Sequence, residues 1–248
     1  MSWLRLIEER MSIPAHKPHK GNKLFHLIRE MWPAYLIEIV VIILGISITL
    51  ALEQWRDGVK ERKLEQVYLG NLLADIQADR QSLRDAASGT QLLLGHGNDL
   101  LQFVNEPVTH LLSANQVHSD VRAILSRPKF IAHDATFSDL KTSGNLHLVD
   151  DISLKAVLFT YYNQTQAIRE VQDAEQQATI TLSGPVFFKR VALDSAGGPS
   201  TDVRGLPADI EFRNSVVLRV ENRKELLALY QAADTAALRL MEALARHL

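Results

Sequence analysis

A side chain does chemistry only when its neighbours position it, and in this 248-residue chain few side chains have such neighbours in sequence. His133-Asp134 sets an imidazole beside a carboxyl that could orient it as a base, although an Asp at the start of a helix serves equally as a cap. His16-x-x-His19 could bring two imidazoles towards one metal ion, but Pro18 lies between them and no carboxylate stands near. That pair reads as part of a basic tail, and no metal site is expected. Gly95-His96-Gly97 lacks the further Gly, or the Lys-Ser/Thr, of a phosphate-cradling loop. Neither a Gly-x-Ser-x-Gly elbow nor a His-Glu-x-x-His pair occurs. Tyr161-Tyr162 reads as core and rim of a helix rather than as a ligand cage. No catalytic residue, metal ligand or cofactor site is assigned, and His133 and Asp134 remain as the polar-site candidates.

The strongest pattern is apolar. From Ala34 to Leu52 the chain carries one charge, Glu38, in a run long enough at 1.5 Å per residue to cross a hydrocarbon core of about 30 Å. A transmembrane helix over 34–55 is expected, continuing with little interruption into the charged segment behind it because no proline intervenes. Trp32 and Tyr35 at one end and Trp55 at the other are suited to the headgroup level, as interface anchors. Glu38, Gly45, Thr49 and Leu52 share one helical face. A Gly-x-x-x-Thr step lets two helix backbones approach closely, so Glu38, Gly45 and Thr49 form a candidate contact between spans. The plainer reading of Glu38 is a carboxylate that snorkels to the headgroups from about 6 Å inside the run. More than thirty residues precede the run, which is longer than the apolar part of a secretory signal, so an anchor is preferred to a cleaved leader.

Bulk properties narrow the partners. The net charge is −2, without the basic excess of a nucleic-acid binder. Membrane lipid, a second copy of the chain or another membrane protein is the expected partner. The absence of cysteine excludes disulfides and thiolate chemistry and is silent on compartment. Lys17, Lys20, Lys23 and Arg29 before the span balance Arg56, Lys60, Arg62 and Lys63 behind it, so the basic-residue rule ties. The reading adopted places the tail in the cytoplasm and the long domain outside.

The flanking regions are helical by pattern. Residues 1–33 form a basic tail with an amphipathic segment at Met1 to Met11, and residues 56–248 form an extramembrane all-helical domain. Leu69, Leu72, Leu73, Ile76 and Leu83 mark a juxtamembrane helix that Ser88-Gly89 should end, and Leu93 to Val104 mark a second that Pro107 should stop. Val117, Val121 and Ile124 mark a third. Thr136-x-x-Asp139 resembles a capping box opening a short helix closed by Gly144, and Asp150-Asp151 should cap a long helix with Leu154, Val157, Leu158, Tyr161, Thr165 and Ile168 on one stripe. That helix turns polar around Gln172 to Gln177, and Gly184-Pro185 interrupts it. A loop is expected from Asp194 to Pro207. Leu226, Tyr230, Ala233, Ala237, Leu240 and Leu244 alternate spacings of four and three, the seam of a coiled-coil-like helix. The expected fold class is all-α: one transmembrane helix followed by a helical bundle with a long juxtamembrane helix, and Leu72, Ile76, Leu158, Tyr161, Tyr230 and Leu240 in one shared core.

Glu38-Ile39, Gly45-Ile46, Leu50 and Trp55, with Tyr68-Leu69, Asp75-Ile76 and Thr136-Phe137-x-x-Leu140-Lys141-x-Ser143-Gly144 leading to Leu158 and Tyr161-Tyr162, resemble a family of bacterial single-pass membrane proteins, domain of unknown function 6090. The resemblance covers roughly Tyr35 to Tyr162. The chain departs from it at Thr49, where a small aliphatic pair is usual, and lacks the Asn-rich stretch before the Trp. It implies an anchored helical domain and supplies no activity; the expected localisation is a bacterial inner membrane, with the domain read as periplasmic. The expected function is a membrane-anchored interaction or scaffold protein. A ligand-sensing extracytoplasmic domain is the alternative, and an enzyme with an unrecognised site is the second alternative.

Overall fold

The computed structural model describes residues 21–193 and 202–248, with side chains from Trp32 and, after Ala34, from Tyr35 onward. The amphipathic segment at Met1 to Met11, the pair His16 and His19, and the first part of the expected loop lie outside the described residues. Every regular element among them is helical: α1 Gly21–Asn105, α2 Ala114–Leu125, α3 Ala135–Thr142, α4 Ile152–Ala178, α5 Gly184–Arg190 and α6 Ile210–Ala245. A π-helical segment, Thr179–Ser183, joins α4 to α5. The chain divides into two compact units, Met1–Lys60 and Glu61–Leu248, and α1 belongs to both.

In the first unit one helix is long and apolar enough to cross a membrane, with a mean hydropathy of 2.5 over its most apolar window. Every side chain from Tyr35 to Asp57 is exposed. Helical backbone begins at Gly21, so Pro33 falls inside the helix instead of opening it; a proline there removes one backbone hydrogen bond without ending the element.

In the second unit α1 runs on through Ser88-Gly89, where the sequence pattern placed an end. Gly89 is a contact rather than a cap: a Cβ there would lie 3.1 Å from Pro128 Cγ. Gly97 does the same against α6, where a Cβ would come within 2.7 Å of Val220 Cγ2. The helix stops at Asn105, two residues before Pro107, as expected. α3 starts at Ala135, one residue before Thr136, with Asp134 at the cap position but making no side-chain cap bond. Thr136 is therefore inside the first turn and builds no capping box. Gly144, at φ +79°, closes that stretch in the left-handed region open to glycine. Asp151 caps α4, its Oδ1 accepting from Ser153 N at 2.6 Å and Leu154 N at 3.3 Å.

α1 and α6 lie antiparallel. Gln66 donates to the His247 carbonyl, Arg80 pairs with Asp234, and Gly97 meets Val220. Their shared core is stacked in three apolar layers rather than one. The first holds Leu69, Leu72, Ile76, Leu158, Tyr161 and Leu240. The second holds Leu83, Ala86, Phe130, Ile168, Leu226 and Tyr230. The third holds Leu100, Val121, Ile124, Phe187, Phe212 and Val220. Tyr230 thus sits one layer away from the five residues expected to share its core. The separation is physical, because polar side chains lie on the seam between the layers. Leu158 is fully buried in the first layer, and Leu158→Ala is expected to cost about 2–5 kcal/mol, read as a shift in thermal unfolding of the full chain in detergent.

Candidate functional site

The first polar layer is built on Asp79. It occupies the apolar stripe of α1 between Ile76 and Leu83 and is completely buried. A carboxyl in such a place needs donors on both oxygens. Oδ1 accepts from the His133 backbone N at 2.8 Å and lies 2.7 Å from His133 Nδ1, and Oδ2 accepts from Tyr161 Oη at 2.6 Å. Burial, followed by the bond to Asp79, pushes the Tyr161 phenol up, so it stays a neutral donor. The carboxyl thus ties α1 to α4 and to the linker between α2 and α3.

The sequence candidates are redistributed by this arrangement. His133 is oriented, but by Asp79 and not by Asp134. Its side chain is half exposed, and among the described residues no hydroxyl is hydrogen-bonded to its Nε2. Asp134 pairs instead with Arg169 at 3.3 Å, on an open groove bordered by Phe137, Ser138, Lys141 and Tyr162. Phe137 and Tyr162 stack with centroids 4.1 Å apart and planes within 1°, and the Lys141 ammonium sits over the Phe137 ring. Tyr161 is core as expected, whereas Tyr162, expected at the rim, is buried as well, at 6% exposed, because its ring is held in that stack. Gly95-His96-Gly97 is helix interior; His96 Nδ1 lies 2.7 Å from Asp120 Oδ1, and burial is the main cause raising the Asp120 carboxyl above its usual range. Along the apolar stretch Trp32, Tyr35 and Trp55 are exposed, a Cβ at Gly45 would meet nothing within 4 Å, and Thr49 Oγ1 donates to the Gly45 carbonyl at 2.9 Å.

The second polar layer escaped the sequence reading. Arg219 and Arg223, one turn apart on α6, are each about 1% exposed, and they face Glu175 on α4, which is 3% exposed. Glu175 Oε1 lies 3.0 Å from Arg219 Nη1 and 3.3 Å from Arg223 Nη2. It makes ion pairs there without the alignment of a hydrogen bond. Arg219 donates to the Ile124 carbonyl from Nε at 3.0 Å and from Nη2 at 2.5 Å, and to Thr179 Oγ1 from Nη1. Arg223 donates to the Ser126 carbonyl. These carbonyls close the C-terminal end of α2, where partial negative charge collects. Burial pulls the Arg219 guanidinium down to about 10, with the neighbouring Arg223 adding to the effect, so it still carries its charge at neutral pH. Gln172 donates to the Phe130 carbonyl and to Tyr230 Oη, linking this layer to the second apolar one.

The π-helical turn positions the layer. Its wider winding brings the Thr179 carbonyl within 2.6 Å of where a Cβ would stand on Gly184, so only glycine fits there. Among the described residues no three His, Asp or Glu side chains converge as metal ligands. No protein-family model, curated protein or solved structure matches this chain.

Proposed function

We propose that this chain is a single-pass protein of a bacterial inner membrane, an interaction or scaffold protein that self-associates or docks a membrane partner through its span. The observation that carries the reading is the unbroken exposure of apolar side chains from Tyr35 to Leu52, a surface that water does not tolerate and lipid does. The residues resembling the bacterial family named above support the same assignment. Glu38, Gly45 and Thr49 lie on the proposed contact face. Thr49 spends its hydroxyl on the Gly45 carbonyl, which leaves that face small and without an unpaired donor. The tail is placed in the cytoplasm and the helical domain in the periplasm.

Cross-linking in native membranes at matched expression tests the contact. Gly45→Leu is expected to lower chain-to-chain cross-linking by pushing the backbones apart, and Glu38→Gln is expected to lower it less. Equal cross-linking in the parent and Gly45→Leu would rule out this face. Protease added outside the inner membrane of intact spheroplasts should reach the domain and spare the tail.

A second reading, an extracytoplasmic domain that senses a ligand and signals through a partner, is favoured by the charged layer of Glu175, Arg219 and Arg223, because a bundle interior is a common place for a ligand site.

A further inference from the structure

The charged layer does not balance. Besides Arg219 and Arg223, Arg127 on the linker after α2 acts electrostatically on both, lowering each of their pKa values. Among the described residues Glu175 is the carboxylate paired with both, at 3.0 Å from Arg219 and 3.3 Å from Arg223. Two buried guanidinium groups therefore share one carboxylate while Arg127 adds further positive charge to their surroundings, and the end of α2 contributes only about half a negative charge. The hydrogen bonding is incomplete as well: Glu175 Oε1 accepts none, and more donors than acceptors are left over. Arg223 Nε and Nη1 and Arg127 Nη1 are buried donors without a hydrogen-bond partner. Such donors, on a side chain as buried as that of Arg223, are costly to leave unmade.

From this excess charge and these free donors we propose that the layer is a binding site for a small oxyanion, a carboxylate or a phosphate group, held by Arg223 and Arg127 with Arg219 behind them. Guanidinium groups match both anions in geometry and charge. Arg127 is half buried and is followed closely in the linker by the exposed Lys129, so the approach to the site is basic as well. Lys129 donates to Gln176 Oε1 at 3.1 Å, one residue beyond Glu175, which places a second cation at the same edge of α4. The oxyanion supplies the charge that Glu175 cannot supply to three cations. The site takes a single oxyanion group, since the free donors are few. The inference does not depend on membrane self-association.

The test uses the full chain in detergent micelles, with inorganic phosphate, acetate and chloride titrated separately at constant ionic strength, following thermal unfolding and isothermal calorimetry. Phosphate or acetate is expected to bind saturably in calorimetry and to raise the melting temperature with the logarithm of its concentration, by about 4 °C at ten times its dissociation constant. The oxyanion that saturates at the lower concentration identifies the class. Arg127→Gln removes a partly exposed side chain and is expected to weaken that oxyanion at least tenfold while the fold is kept. Glu175→Gln removes the competing carboxylate and is expected to tighten it. Absence of calorimetric binding by both oxyanions to the parent overturns the proposal, as does a chloride response equal to theirs. An unchanged affinity in Arg127→Gln also overturns it.

Discussion

Glu175→Ala is expected to lower the stability of the helical domain by about 3–5 kcal/mol, the loss that follows when one partner of a buried ion pair is removed. Arg219 and Arg223 stay in place, almost wholly buried, with only carbonyl and hydroxyl oxygens around them. Those oxygens satisfy hydrogen bonds and supply no full charge. The melting temperature in phosphate-free buffer should fall by roughly 6–20 °C for a domain of this size, measured by circular dichroism of the detergent-solubilised chain. Replacing all three charges together, Glu175→Leu with Arg219→Met and Arg223→Met, should recover most of that loss. Apolar side chains of similar volume need no counter-charge, and such replacements are often neutral or stabilising. A single variant that melts within a degree of the parent would show that Glu175 does not hold the two arginines.

The same side chains show what could be read from sequence and what could not. The apolar seam of α6 was legible from Leu226 to Leu244 because its spacing of four and three is unbroken. The seam continues towards the N-terminus through Arg223, Arg219, Val216 and Phe212 at the same spacing, and all four are buried. Two arginines in it look like the end of a stripe when polarity alone is read. The stripe of α4 likewise continues from Ile168 through Gln172 and Glu175, and Asp79 fills its place on α1 between Ile76 and Leu83. In each case the period was intact and only the chemistry changed. A polar residue at a seam position on one helix says little; on three helices that pack together it marks a buried layer. The partners could not be read, because His133 and Tyr161 are 54 and 82 residues from Asp79. The glycines failed for another reason. Gly89 has the composition of a helix end, but its role is set by Pro128, which only the fold brings near.

Asp79→Ala is expected to cost about 2–6 kcal/mol, built from about 1–3 kcal/mol for each of two buried donors left without an acceptor. Tyr161 Oη loses the partner that lies 2.6 Å away, and the His133 backbone N loses the one at 2.8 Å. Asp79→Asn should cost less, since an amide oxygen still accepts from His133 while its NH2 can donate to a turned Tyr161 hydroxyl. The decisive comparison is a double-mutant cycle with Tyr161→Phe. Removing the phenol first takes away one of the two orphans, so Asp79→Ala made in the Tyr161→Phe background should cost about 1–2 kcal/mol less than in the parent. Hydrogen exchange adds a second reading, because the His133 amide should lose its protection in Asp79→Ala and keep it in Tyr161→Phe. Strictly additive losses would mean that the phenol draws no stability from Asp79. The carboxyl would then act only as a clamp on the linker between α2 and α3, and the first polar layer would be a tether for His133 rather than a link between α1 and α4.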